Sequence, residues 1–473
     1  MDETTWWKQC VAYKIEPRKF HDSNGDGIGD IVGIISQLPY LRRLGIGCIC
    51  LSSVFPGMGY GDGGVTEYCS VDPCLGSMAD MEDLVDKAHV AGMHVVLEIP
   101  ISDTSDRHKW FLESKKGGTG NPYSSFYLWT DVACNWMSTK SVTVLEWDKN
   151  RKAASVRTLG VSLPDLNWRD GGVVQAIYDQ CRFWLDKGID GLELSDANCI
   201  VKDDAFRDNP GLFRPFRIHS YRRQLHVFDR NRPENHKELR RFHEMVSVYP
   251  HRVVAGRILQ DEPGEPEMAG SYLGNQLDLT FDDSFAFLPF SAKAWKQCAR
   301  RWYRAVGVEN WPGWKFEDRF LPRSMDRFGG DVRKAGLAAM FLLTQLGTPV
   351  LYFGEENGAR DEKGSKTFPS CLTERANEDS PLVSLYASLI ALRSRDGILR
   401  TGRIRYLDDS PCDVLEYVRE TGTERRTIVL NFGKRQRTVH AGNGEVLLAT
   451  YGKVAVAGGK LVLAPRQGVI LKA

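Results

Sequence analysis

From about residue 11 to about residue 400, short apolar runs alternate with helical patterns, and no other feature limits the fold so strongly. The runs at 11–15, 46–51, 94–99, 191–195, 253–257, 277–281, 314–317 and 349–353 predict buried strands. Strands that alternate with helices build a parallel sheet. Eight such units predict a closed (β/α)8 TIM barrel, whose working residues sit at the C-terminal strand ends. The long stretch after the third strand, rich in Gly, Asn and Ser at its start, reads as an inserted subdomain over 103–167. From residue 401 the pattern changes to short alternating strands with Gly turns, which predicts a C-terminal antiparallel β-sandwich over 401–473. The barrel then takes 1–102 and 168–400.

A chain of 473 residues exceeds one ordinary core, in keeping with this division. A formal net charge of +1 gives no global field to attract nucleic acid or an acidic membrane. The most apolar region, 337–353, is interrupted by Thr344, Gln345, Gly347 and Pro349 and reads as a core helix turning into a strand, not a membrane span. The 11 cysteines are scattered, and Cys48 and Cys50 lie inside an apolar run where a thiol acts as a small hydrophobe. No Cys/His spacing suggests zinc, and no asparagine stands in an Asn-x-Ser/Thr acceptor.

Gly191-Leu192-Glu193-Leu194-Ser195-Asp196-Ala197 follows a helix end and a Gly stop at Gly188, and reads as a buried strand reaching the barrel mouth. It resembles the fourth strand of the α-amylase/α-glucosidase family of glycoside hydrolases. Other ordered blocks carry the same resemblance: Trp6-Trp7, the stretch from Asp22 to Asp30, Val71-Asp72-Pro73, Thr104-Ser105-Asp106, Leu163-Pro164-Asp165-Leu166-Asn167-Trp168 and Gly354-Glu355-Glu356. The resemblance implies a retaining mechanism run by a nucleophilic carboxylate and an acid carboxyl about 5 Å apart. A third carboxylate grips the sugar.

At those three positions this chain has Ser195, Arg257 and Phe320. Serine needs a neighbouring base before it can attack, and arginine keeps its proton near neutrality. Glu317 and Asp318 could substitute for the third carboxylate only by a shift of register. Strand alternation points Glu193 and Ser195 into the mouth and Asp196 away from it. Ser102-Asp103 replaces the family's Asn-His, and Asp62-Gly63-Gly64 its Gly-Tyr-Asp. Glu193 and Arg257, on adjacent strands, are expected to form a salt bridge across the emptied centre.

The resemblance then implies a catalytically inactive binding or scaffold protein, similar to the ectodomain of the heavy subunits of heteromeric amino-acid transporters. Its partner would be a transporter light chain. Its place would be the extracellular face of the plasma membrane if a membrane segment is missing from this chain, and otherwise the cytoplasm. The alternative is an α-glucosidase-type hydrolase of oligosaccharides with an unorthodox site. It requires a carboxylate pair in the mouth.

Asp22, Asn24, Asp26 and Asp30 stand at positions one, three, five and nine of an EF-hand-like loop, with Gly27 at six and the Ile28 carbonyl at seven. Gly33 replaces the closing glutamate. The loop reads as a solvated acidic turn or a structural Ca2+ (or Mg2+) site, and the resemblance favours the cation. The basic run over 214–232 reads as a solvated helix face and loop. His108 and His251 read as surface or packing residues.

Overall fold

The computed structural model describes residues 3–57, 63–213, 220–260, 265–360 and 380–472. Eight parallel strands form its centre: β1 (Ala12–Ile15), β2 (Cys48–Leu51), β3 (His94–Pro100), β4 (Gly191–Ser195), β5 (Val253–Gly256), β6 (Leu279–Thr280), β7 (Gly313–Trp314) and β8 (Thr348–Tyr352). Their order is β7-β8-β1-β2-β3-β4-β5-β6. A parallel bridge from Phe281 to Gly313 joins the two ends and closes the barrel.

Side-chain parity sorts the strands into two surfaces. Tyr13, Ile15, Ile49, Leu51, Val95, Leu97, Leu192, Leu194 and Val254 pack outward under the helices. Ala12, Cys48, Cys50, Val96, Val253, Ala255, Leu279 and Val350 fill the lumen, with Trp6 and Trp7 closing its floor edge to face. Cys48 and Cys50 are therefore packing residues, as their apolar run predicts. Gly191 is dictated by its neighbour, because a Cβ there would fall 2.3 Å from Val253 Cγ1.

The outer ring holds α1 (Ile31–Leu44), α2 (Met78–Val90), α3 (Gly171–Asp186), α4 (Pro233–Ser247), α5 (Ala292–Val306), α6 (Val332–Thr344) and α7 (Pro381–Arg395). Ser77 and Asp80 cap α2 reciprocally. Asp30, Asp170, Ser291, Asp331 and Ser380 cap α1, α3, α5, α6 and α7. The core helix followed by a strand expected over 337–353 is α6 and β8.

Two strands are shorter than their apolar runs. β6 and β7 each have two residues, and after Trp314 the chain leaves the ladder and turns into the mouth. There Lys315 pairs with Asp283 at 3.1 Å, and Glu317 pairs with Arg323 at 3.0 Å.

The insert contains a helix (Lys109–Lys116) and a three-stranded antiparallel sheet made of Trp129–Thr130, Ala153–Val156 and Leu145–Asp148. After α7, antiparallel strands form one sheet of five and another of three. Arg419 ties them to the barrel: fully buried, it donates to the carbonyls of Thr344, Leu399 and Gly402. Among the described residues no helix is long and apolar enough to cross a membrane.

Candidate active site at the barrel mouth

Above the apolar floor the lumen becomes charged. Lys14, inward on β1, lies 2.7 Å from Glu98 on β3 and 2.5 Å from Glu193 on β4. Glu98 also accepts from the Ser195 hydroxyl at 2.8 Å and pairs with Arg319. Burial opposes charge on both partners, but the neighbours prevail. Glu193 and Glu98 hold Lys14 above the ordinary lysine range, while Arg319 and Lys14 hold Glu98 below the usual carboxylate range. This network was legible only in part: a lysine in Ala-Tyr-Lys-Ile and a glutamate in Val-Leu-Glu-Ile must face either lumen or helices, and parity chooses the lumen.

Glu193 and Arg257 do not pair. Glu193 stands opposite Ala255 and Leu194 opposite Gly256. That register carries Arg257 level with Ser195, two residues (roughly 7 Å) farther along the barrel axis. Glu193 turns instead to Lys14, and Arg257 Nη1 lies 2.6 Å from Asp196 Oδ1.

Asp196 also departs from the alternation expected of it. Its backbone is left-handed, with φ 46° and ψ 47°, at the point where β4 passes into the 3-10 turn Ala197–Cys199. The turn is stapled to the end of β5 by Ala197 N–H to the Arg257 carbonyl, and by Arg257 N–H to the Leu194 carbonyl. The Asp196 carboxylate is not spent on capping. A left-handed residue that is not glycine is a strained conformation that clusters at functional sites. Here it breaks the strand parity, so Ser195 and Asp196 both line the mouth, a cleft of about 730 Å3.

Asp103 lines the same cleft from the end of β3 and the start of the insert. It is 5% exposed and accepts from Ser102 Oγ at 2.7 Å. Burial pushes its carboxyl up to about 7; the hydrogen bond from Ser102 works against this, and the charges of Asp165 and Asp196 add to it. Behind it Asp165 is fully buried, paired with Lys202 at 3.2 Å and bonded to Thr158 Oγ at 2.6 Å. Asp103 is thus an acid poised near neutrality, facing a carboxylate near enough to disfavour its ionisation.

The three family positions have new duties. Ser195 bonds Glu98, and Arg257 pairs with Asp196, which offsets the cost of its burial. Phe320, 52% exposed, lies over two guanidiniums, its ring centroid 4.1 Å from Arg257 and 4.7 Å from Arg319. Glu317 is committed to Arg323 and the Ser324 amide, and Asp318 to Lys315 and the Phe320 amide. Neither faces the cleft as a free carboxylate. Asp62 lies outside the described residues.

In the acidic loop, Asp22 accepts from the amides of Asn24, Gly25 and Gly27, and Asp26 from that of Ile28. Asp30 caps α1 through Gly33 N–H and accepts from Ser23. The donors are hard oxygens of the right type for Ca2+, but they are turned onto the loop's own amides. Among the described residues no three acidic, His or Cys side chains gather in a way that could hold a metal.

The basic run is not one solvated helix. Arg222 lines the mouth and Arg230 is buried against Tyr221, while Arg214 and Arg217 lie outside the described residues. His108 is a packing residue: it caps the Lys109–Lys116 helix, and burial lowers its pKa to about 4.

The alpha amylase catalytic-domain model matches residues 14–402. A probable alpha-glucosidase of Rhizobium meliloti (strain 1021) is 33% identical over 391 residues, covering 75% of this chain and 70% of that protein. An oligo-1,6-glucosidase of Heyndrickxia coagulans is 33% identical over 384 residues, covering 75% and 67%. The solved structure of the alpha-glucosyl transfer enzyme XgtA has a TM-score of 0.90 and 28% identity over 99% of both chains.

These similarities overturn the expectation of an inactive scaffold resembling a transporter heavy subunit, and with it the basis for a light-chain partner. These similar proteins are named for glucosidase or alpha-glucosyl transfer activity. Asp103 and Asp196 both line the mouth, Asp196 through its left-handed backbone rather than by the strand alternation expected of it.

Proposed function

This chain belongs to the alpha amylase catalytic-domain family, and we propose that it is an α-glucosidase-type glycoside hydrolase of short oligosaccharides, with an unorthodox carboxylate pair. The observation that carries this is the presence of Asp103 and Asp196 in one cleft, in environments that give them different tasks. Asp103 keeps its proton near neutrality and donates it to the glycosidic oxygen as the bond breaks. Asp196 presents its carboxylate to the anomeric carbon, which gains positive character at that moment. Arg257 fixes the carboxylate in place, and Phe320 offers the sugar an apolar face beside it. Water completes hydrolysis, and its proton returns to Asp103. The relatives named for oligo-1,6-glucosidase and alpha-glucosidase activity support an α-linked glucoside as substrate.

The test is turnover of isomaltose and of a nitrophenyl α-glucoside by the parent protein, Asp196→Asn and Asp103→Asn. Parent activity lost in both variants supports the reading. A silent parent, or activity that survives Asp196→Asn, refutes it.

A further inference from the structure

At the opposite pole of the barrel, where the strands begin, lies a second cavity of about 660 Å3. Its walls come from the segments just before β1 to β5 and from α7 with the turn after it. The volume suits a small organic ligand. Glycines shape the wall: a Cβ on Gly45 would meet Ile390 at 2.8 Å, and one on Gly47 would meet Cys10 at 2.7 Å. Trp6 stacks on His94 at 3.9 Å, fixed by its own N–H to the His251 carbonyl.

The charges there do not balance. Three arginines line the cavity, Arg252, Arg393 and Arg400, against one carboxylate, Asp190. Asp190 is already engaged, by His89 at 2.7 Å and by the Val95 amide at 2.9 Å. Arg252 reaches it only at 3.6 Å, and among the described residues the Arg252 Nε–H has no acceptor. Arg393 is 1% exposed, and among the described residues no carboxylate pairs with it. Among the described residues it donates to the carbonyls of Leu343, Gln345, Gly347 and Leu399 alone, and its Nε–H is unspent. Burial draws Arg393 down to about 9, and the like charges of Arg419 and Arg400 add to the effect. No hydrogen bond or ion pair among the described residues engages the Arg400 guanidinium.

We propose that this polar cavity is an anion site for a phosphate group, as free phosphate or as a phosphate monoester of a small sugar, held by Arg252, Arg393 and Arg400. Guanidinium forks match phosphate oxygens in pairs; Arg252 and Arg400 supply such donors, Arg393 adds its Nε–H and its charge, and a dianion would neutralise the excess positive charge that Asp190 leaves. The site is independent of the mouth and of the reaction assigned to it. It lies where the strands start, away from the chemistry at their ends.

The experiment is titration calorimetry and thermal melting of the intact protein with inorganic phosphate and, separately, glucose 6-phosphate, at constant ionic strength set with chloride. One phosphate group should bind per chain, with a saturable rise in melting temperature. Arg252→Gln and Arg400→Gln should each weaken it at least about tenfold, while Asp196→Asn binds as the parent does. Tighter binding of the ester identifies a sugar phosphate, and equal binding identifies the anion alone; both support the site. Absence of saturable binding to either probe overturns it. So does unchanged affinity in the Arg252→Gln/Arg400→Gln double variant. Calorimetry on the parent decides the question even if an arginine variant fails to fold.

Discussion

Arg257 Nη1 lies 2.6 Å from Asp196 Oδ1, and the same guanidinium carries the ring of Phe320 at 4.1 Å on its face. One arginine at the end of β5 thereby fixes both the carboxylate at the end of β4 and the aromatic rim of the cleft. Arg257 and Phe320 are thus parts of one local structure built around Asp196.

The first prediction concerns that structure. Asp196→Asn takes the counter-charge from Arg257 and should lower stability while leaving the protein folded; it should reduce turnover of an α-glucoside by at least about a hundredfold, because the amide cannot serve as the attacking carboxylate. Steady-state kinetics and a circular-dichroism melt read the two effects separately. A loss of activity that simply tracks a loss of folded protein would count against the assignment.

Asp103 should give the protein an alkaline limb. With its carboxyl near 7, catalysis should fall as pH rises through that value, and Asp103→Asn should abolish both the limb and most of the rate. Stability follows the same proton. Because the folded-state value lies above the unfolded one, the native state holds the proton between about pH 4 and pH 7. The contribution is complete below that window and is lost as pH rises through it, on the order of 4 kcal/mol at full extent. Urea midpoints across this range should slope down in the parent and flatten in Asp103→Asn. Parallel slopes would remove Asp103 from the role.

Lys14 bridges two carboxylates in a nearly dry lumen, at 2.7 Å from Glu98 and 2.5 Å from Glu193. Lys14→Met leaves both with less compensation and should cost roughly 3–5 kcal/mol of stability. Glu193→Gln keeps the Lys14–Glu98 pair and should cost clearly less. Denaturant unfolding of the two variants ranks them, and a near-neutral Lys14→Met would show that the lumen is wet.

In the loop from Asp22 to Asp30, oxygens of Asp22 and Asp26 accept from the loop's own amides and keep further lone pairs that a divalent cation could use. If the loop rearranges to take the ion, calcium should raise the melting temperature of the parent and leave Asp26→Ala unmoved. At a hundredfold excess over its dissociation constant the ion would add about 2.7 kcal/mol. Equal responses from the two proteins would make the loop a self-bonded turn.

Much of this protein follows from local pattern. Lumen and outer face depend on parity along each strand, so Ala12, Cys48 and Val96 inside and Ile49, Leu97 and Leu194 outside were legible, as was the insert after β3. The resemblance alone set Ser195, Arg257 and Phe320 against the family's three carboxylates. Only the tertiary structure decided what these residues do. The partner of Arg257 depends on the β4–β5 register, which places it level with Ser195 rather than Glu193. The direction of Asp196 depends on a left-handed backbone imposed where the turn is stapled to β5. The proton on Asp103 depends on burial and on carboxylates distant in sequence, Asp165 and Asp196. Periodicity records which way a side chain faces in a regular strand. Distance, strain and desolvation arise between strands, and three-dimensional packing alone sets them.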